Sequence, residues 1–231
     1  MTEAHKPRRP KGPGDEPRER ETLAERAYRE LEEQIVTLRL APGAVVSEAI
    51  LSKALGIGRM PIREALQRLA RERLVVIMAR RGVFVSEVNV RSQLRLLEVR
   101  REIERLLARS AARRATREQR ATFDEIVAGM ERSAESGDDA TFMRLDRAFN
   151  LLVIEAARNE YAAGAMTLMH GLSRRFWYIH YKEVADLPQT ARLHADIARA
   201  IAAGDQDEAA AASDRLMDYI ESFTKATLAD T

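Results

Sequence analysis

The chain of 231 residues contains no cysteine. Disulfides, thiol nucleophiles and thiolate metal sites are therefore excluded. Aromatic residues make up only 5% of the chain, with a single tryptophan. No apolar run approaches the ~20 residues that a membrane span needs, and no segment reads as a signal peptide. The expectation is a cytoplasmic protein without membrane contact. Proline is scarce too. Four of the seven prolines fall within residues 1–20, beside two glycines and many charges. That stretch has almost nothing apolar to bury and reads as a disordered basic tail. Its Lys6, Arg8, Arg9 and Lys11 could brush phosphates or simply be solvated.

What the chain does have is a 45% apolar content, enough for two domains of ordinary size, and an uneven spread of charge. Residues 1–88 carry 17 Lys and Arg against 13 Asp and Glu, and residues 89–231 carry 21 against 23. A basic first part joined to a mildly acidic remainder fits a nucleic-acid reader coupled to something else.

The most informative stretch is Arg59-Met-Pro-Ile-Arg-Glu-Ala-Leu66. Pro61 suits the first position of a helix, where a missing N–H costs nothing. Ile62, Ala65, Leu66 and Leu69 form one apolar face, leaving Arg59, Arg63, Gln67 and Arg71 on the others. Arginine forks match phosphates and guanine edges, and helix N-termini favour anions. Upstream, Thr22 and Glu25 form a capping box for a helix carrying Tyr28, Leu31, Ile35 and Leu38 on one face, broken by Pro42-Gly43. Ser47 opens a short helix over about 48–55 that Gly56 ends, and Gly56-Ile57-Gly58 is a tight turn into the arginine helix. Downstream, Leu74–Met78 and Val83–Val85 are β-branched runs around a basic tip, Ala79-Arg80-Arg81-Gly82. A helix-turn-helix followed by a basic hairpin is a winged helix.

The second part reads as wholly helical, with helices near 90–115, 116–136, 140–157, 160–181, 188–203 and 206–228. Thr116 with Gln119 and Asp205 with Glu208 are capping boxes, Gly204 ends a helix, and short links imply an antiparallel bundle. Two inward faces carry polar groups. Asp146, Phe149, Asn150 and Val153 share one stripe, and His194, Ile197, Ala198 and Ile201 share another. Buried polar groups need partners, so either an internal Asp146–His194 contact or a polar ligand pocket is implied. The expected fold is mainly α: an N-terminal winged helix-turn-helix over 21–87 with a small β-hairpin wing, then a C-terminal all-helical antiparallel bundle over 90–231.

The segment "LSKALGIGRMPIREALQRLARERLV" followed by "RRGVFV" resembles the GntR family of bacterial transcription regulators across residues 24–87. Met60, Gly58 and Ala49 depart from the usual threonine, serine and, in some branches, arginine. The resemblance implies DNA contacts from Arg59 and Arg63 with Arg81-Gly82 at the wing. Pro61 belongs to the same motif, and Lys53, Gln67 and Arg80 are secondary candidates. Residues 92–220, through "LLEVRREIERLLARSAA", "DRAFN" and "LHADIARAIAAGD", resemble the FCD effector domain of the FadR-like branch. There the bundle holds a small carboxylate, often beside a divalent metal bound by one Asp and three His. Asp146 and His194 keep two of those ligands. Asn150 replaces one histidine, and Leu216 stands where the other falls, so a transition metal would be poorly held and no cofactor is assigned. Arg100 is the candidate carboxylate clamp, with Arg174 and Tyr178 as further pocket residues. His170, His180 and Tyr181 take no role. The resemblance thus implies a ligand-responsive homodimer that binds double-stranded DNA at an inverted-repeat operator and a small anionic metabolite in the bundle. A constitutive DNA-binding protein, or an enzyme acting on a small acid, are the alternatives.

Overall fold

The computed structural model describes residues 21–228 apart from Ala185, so the expected tail over 1–20 lies outside the described residues. Helix α1 (Leu23–Val36) opens on the expected capping box, with the Thr22 side chain accepting from Glu25 N–H and the Glu25 carboxylate accepting in return. It stops at Val36, well before Pro42, because the chain turns at Leu38 in the left-handed region (φ 62°). Strand β1 (Val45–Val46), helix α2 (Glu48–Leu55) and helix α3 (Arg59–Arg71) follow. Gly56 ends α2 at φ 63°, a backbone state that suits a residue without Cβ. Pro61 falls at the third helical position rather than the first, since α3 already begins at Arg59. Any of the first four N–H groups of a helix lacks an intrahelical partner, so proline is equally harmless there.

Strands β2 (Val75–Met78) and β3 (Gly82–Val85) form the wing, with Arg80 and Gly82 at positive φ in the turn. The sheet order is β1-β3-β2, all antiparallel, with Val45 opposite Phe84 and Met78 opposite Gly82. The two-residue β1 was not expected, being too short to show a period in sequence. It ties the segment ahead of α2 to the wing. Leu31, Ile35, Ile62, Leu66, Leu69 and Leu74 fill the core of this unit.

Six helices complete the described chain: α4 (Val90–Arg114), α5 (Arg117–Ser136), α6 (Asp139–Ala157), α7 (Glu160–Val184), α8 (Leu187–Ala203) and α9 (Gln206–Ala226). Side chains of Asn89, Thr116, Asp138, Asp186 and Asp205 cap the starts of α4, α5, α6, α8 and α9. Gly137 and Gly204 end α5 and α8 in the left-handed conformation. The bundle core runs from Leu107 and Phe123 to Ile201 and Leu216. Alanines at 191, 195, 198, 209 and 212 are fully or almost fully buried, which lets α8 and α9 approach their neighbours closely.

The two units are joined through α7. Leu172 packs against the winged-helix core, and a Cβ at Gly171 would stand 2.7 Å from a Leu74 methyl. Arg174 pairs with Glu32 at 2.9 Å and Glu33 at 3.3 Å on α1. Arg175, only 2% exposed, donates to the Ser86 carbonyl and hydroxyl at 2.9 and 3.0 Å. Consecutive residues of one helix thus grip two parts of the first unit.

Candidate nucleic-acid interface and effector cavity

Helix α3 buries Ile62, Ala65, Leu66 and Leu69 and leaves Arg59, Arg63 and Gln67 exposed, as the period demands. Its N-cap is Gly58, which supplies no side-chain acceptor, and its first turn holds no acidic residue. The amide groups at that end therefore have no side-chain acceptor in their own cap or first turn. Lys53 is exposed on α2, and Arg80, Arg81 and Gly82 are exposed at the wing tip. Arg63 is not a bare cation. Its Nε and Nη2 make a two-pronged bond to the Glu48 carboxylate at 2.9 and 2.8 Å. That bond holds the Glu48 carboxyl below its usual range and raises the Arg63 guanidinium.

In the bundle, Arg100, Asp146, Asn150, Arg174, Tyr178 and His194 line one cavity of about 180 Å³. Glu33 and Val36 of α1, with Thr37 just beyond its end, form part of the same wall, so both units enclose it. A smaller lobe of about 30 Å³ adjoins it through Arg100, Asn150, His170 and His194, with Leu107, Phe149, Val153 and Leu216 as its apolar lining.

The centre of the cavity is an ion pair. His194 Nδ1 lies 2.8 Å from the Thr190 carbonyl, and His194 Nε2 lies 3.1 Å from Asp146 Oδ1. A carbonyl and a carboxylate can only accept, so both ring nitrogens donate and the ring is an imidazolium. Burial opposes charge on either partner, but the mutual hydrogen bond outweighs it. The Asp146 carboxyl is lowered and His194 is raised. Phe142 and Phe149 close edge-on around the ring, each 5.7 Å away between centroids. Asn150 donates to Asp146 Oδ1 at 3.0 Å and to the Asp146 carbonyl, so it serves as a brace.

This arrangement does not fit a metal. His194 has both ring nitrogens engaged and Leu216 donates nothing, so only Asp146 Oδ2 and the Asn150 carbonyl oxygen are left as donors, too few to hold a transition metal. Among the described residues, no group of three or more His, Cys, Asp and Glu side chains could hold an ion. Asp218, near Leu216 in sequence, points elsewhere and pairs with Arg101 at 2.7 Å.

Three wall residues of α7 were given no role by the sequence reading. His170, Ser173 and Trp177 share a face of α7 with Arg174 and Tyr178 at spacings of three and four, and that spacing was the available signal. Burial pushes the His170 imidazole down to about 4, helped by Arg100 and Arg174, so it is neutral near pH 7. Ser173 Oγ and Trp177 Nε1 are buried without a partner. The expected clamps are partly spent. Arg100 Nε donates to Glu104 at 2.5 Å, and Arg174 is engaged with α1.

Comparison with known proteins agrees with this architecture. The family model described as bacterial regulatory proteins, gntR family, matches residues 23–85, and the FCD domain model matches residues 95–219. The chain is 28% identical over 180 residues to the HTH-type transcriptional repressor RspR of Escherichia coli K12, covering 78% of this chain and 79% of that protein. It is 25% identical over 176 residues to the Nta operon transcriptional regulator of Aminobacter aminovorans, covering 76% and 82%. Among solved structures, Escherichia coli McbR/YncC superposes with a TM-score of 0.74 at 20% identity, over 90% of this chain and 99% of that one. A Rhodococcus sp. RHA1 GntR regulator gives 0.65 at 19%, over 88% and 97%. With a DNA-reading unit and an FCD unit both matched along most of its length, the chain belongs to the GntR family of DNA-binding transcription regulators, in the branch that carries an FCD domain, and is not an enzyme.

Proposed function

We propose that this regulator binds an inverted-repeat operator as a homodimer and that a small carboxylate metabolite in the α4–α9 cavity sets its affinity. Arg59, Arg63, Gln67 and Lys53 would meet the major groove and its phosphates, with Pro61 shaping the entry to α3 and Arg80, Arg81 and Gly82 forming the wing contact. Arg100 would receive the carboxylate through the terminal nitrogens that Glu104 leaves unspent, and Asp146, Asn150, Arg174, Tyr178 and His194 would complete the wall.

The observation that carries this reading is the shared wall. Glu33, Val36 and Thr37 belong to the DNA-reading unit, yet they line the cavity of the bundle. A ligand touching both units has different contacts in each arrangement of the two. Differential contact is what shifts a population between arrangements.

Selection of binding sites from random DNA by the purified protein, followed by anisotropy titrations, tests it. The reading expects an inverted repeat bound by two chains, with affinity that changes when a bound small acid is added. Tight binding of one chain to a single half-site would overturn the symmetric reader. Affinity blind to every ligand that raises the melting temperature would overturn the effector role.

A further inference from the structure

The charged groups of the cavity are largely spent on one another. Arg100 pairs with Glu104, Arg174 with Glu32 and Glu33, and His194 with Asp146. Asp146 and Glu33 line the cavity beside Arg100, Arg174 and His194, so both signs stand around one space. A ligand of a single sign would meet like charge on that wall, where screening is weak, whereas a ligand carrying both signs can set each against its opposite.

The unspent groups point the same way. Both protein bonds to the Asp146 carboxylate land on Oδ1, from His194 and Asn150, which leaves Oδ2 as a bare acceptor. On the donor side, Ser173 Oγ has no partner although the residue is only 7% exposed, and Trp177 Nε1–H is buried and unpaired. Arg100 uses Nε alone. Unpaired buried polar atoms are rare, and two of the three among the described residues belong to side chains that line this cavity. Donors and an anionic acceptor in one wall suit a molecule with an anion and a cation on the same small frame.

We propose that the effector is a zwitterionic amino acid, its carboxylate taken by Arg100, Ser173 and Trp177 and its ammonium by Asp146. This rests on the cavity being the effector site. The ammonium supplies the positive charge for which the Asp146–His194 pair leaves no metal position. The remaining wall (Phe142, Met143, Tyr178, Ile220) is aromatic and aliphatic and suits an apolar side chain. The cavity of about 180 Å³ must hold the zwitterionic head as well as the side chain, and benzene alone takes a cavity of ~150 Å³, so the side chain is smaller than an aromatic ring.

Matched pairs test the assignment on the full-length protein. Each standard amino acid, in both hands, is titrated by calorimetry beside its des-amino acid and its decarboxylated amine, for example leucine, 4-methylpentanoate and 3-methylbutylamine. At least one amino acid is expected to bind about tenfold or more tightly than both partners. Asp146→Asn should erase that preference. Because Asp146 also holds His194, Glu33→Gln serves as a second variant. By removing one carboxylate from the wall, it should narrow the gap from the des-amino side. A des-amino acid that binds as well as its amino acid overturns the zwitterion while leaving the cavity an effector site. If no member of the panel binds the native protein, the zwitterion is overturned. If other small acids then fail as well, the effector reading falls with it.

Discussion

Arg174 and Arg175 are neighbours on α7 that hold different parts of the DNA-reading unit. Arg174 takes the carboxylates of Glu32 and Glu33 on α1, and Arg175 takes the carbonyl and hydroxyl of Ser86 at the end of the wing. The first bond lies in a cavity wall. The second lies in a buried seam, where desolvation pushes the Arg175 guanidinium down to about 10 and its Nε has no partner. One fastening borders open space and the other is sealed.

Arg175→Ala should therefore loosen the joint without unfolding either unit. Loss of a hydrogen bond to a charged group costs about 2 kcal/mol. Hydrogen exchange should accelerate across 86–89 and along the inward face of α1, while far-ultraviolet circular dichroism stays native. Unchanged exchange in that segment would show that the joint is held elsewhere.

Two glycines of α7 give opposite forecasts for the same substitution. Gly164 has nothing within 4 Å of an added Cβ, so Gly164→Ala should stabilise by about 0.5–1 kcal/mol through helix propensity. Gly171 would drive its Cβ to 2.7 Å from fully buried Leu74, so Gly171→Ala should lower the melting temperature and separate the units. Equal stabilisation by both would mean that α7 does not press on Leu74.

On DNA, Arg63→Ala should weaken operator binding about tenfold or more, the value of a good two-pronged base contact. Glu48→Gln should do the reverse on random sequence, because it unmasks a cation that the Glu48 carboxylate now occupies. Anisotropy across a salt series separates the two effects. A Glu48→Gln protein with native affinity for random DNA would show that the pair does not compete with phosphate.

His170 gives the pH forecast. Its folded pKa is depressed, to about 4 against 6.5, so its effect on stability is nil above 6.5 and grows as pH falls. Across that window the unfolded chain binds a proton that the folded chain refuses, and stability declines by at most about 3 kcal/mol. The loss is smaller than that ceiling because the ring borders an open cavity. Denaturant melts of the native protein and His170→Gln should converge near neutral pH and part towards pH 4, with the variant less acid-sensitive. Parallel curves would place the imidazole in water.

Dialysis against a chelator should leave the melting temperature unchanged, and elemental analysis of tag-free protein should find no stoichiometric transition metal. Both follow from the two occupied nitrogens of His194. One tightly held ion per chain, lost on Asp146→Asn, would mean that the ring turns or loses its proton to bind it.

The winged helix was legible because its signals are local. A capping box at Thr22, a left-handed Gly56 and four apolar positions in α3 each act within a turn or two. Strand β1 was not legible, since two residues carry no period and its partner Phe84 lies far along the chain. The inward positions of Asp146 and His194 could be read from their stripes. Their union could not, because it depends on how α6 and α8 pack. Arg174 was singled out as a ligand residue, whereas its partner Glu32 is 142 positions away and no local pattern joins them. The wet face of α7 was hidden by apolar residues elsewhere around that helix, including Met166 and Phe176, which blur any single stripe.

Glu33, Val36 and Thr37 also bear on engineering. Because the head supplies part of the cavity wall, the bundle alone does not hold the whole cavity. A foreign reading head grafted onto this bundle would bring its own side chains to that wall, and so reshape the space as it changes the DNA target.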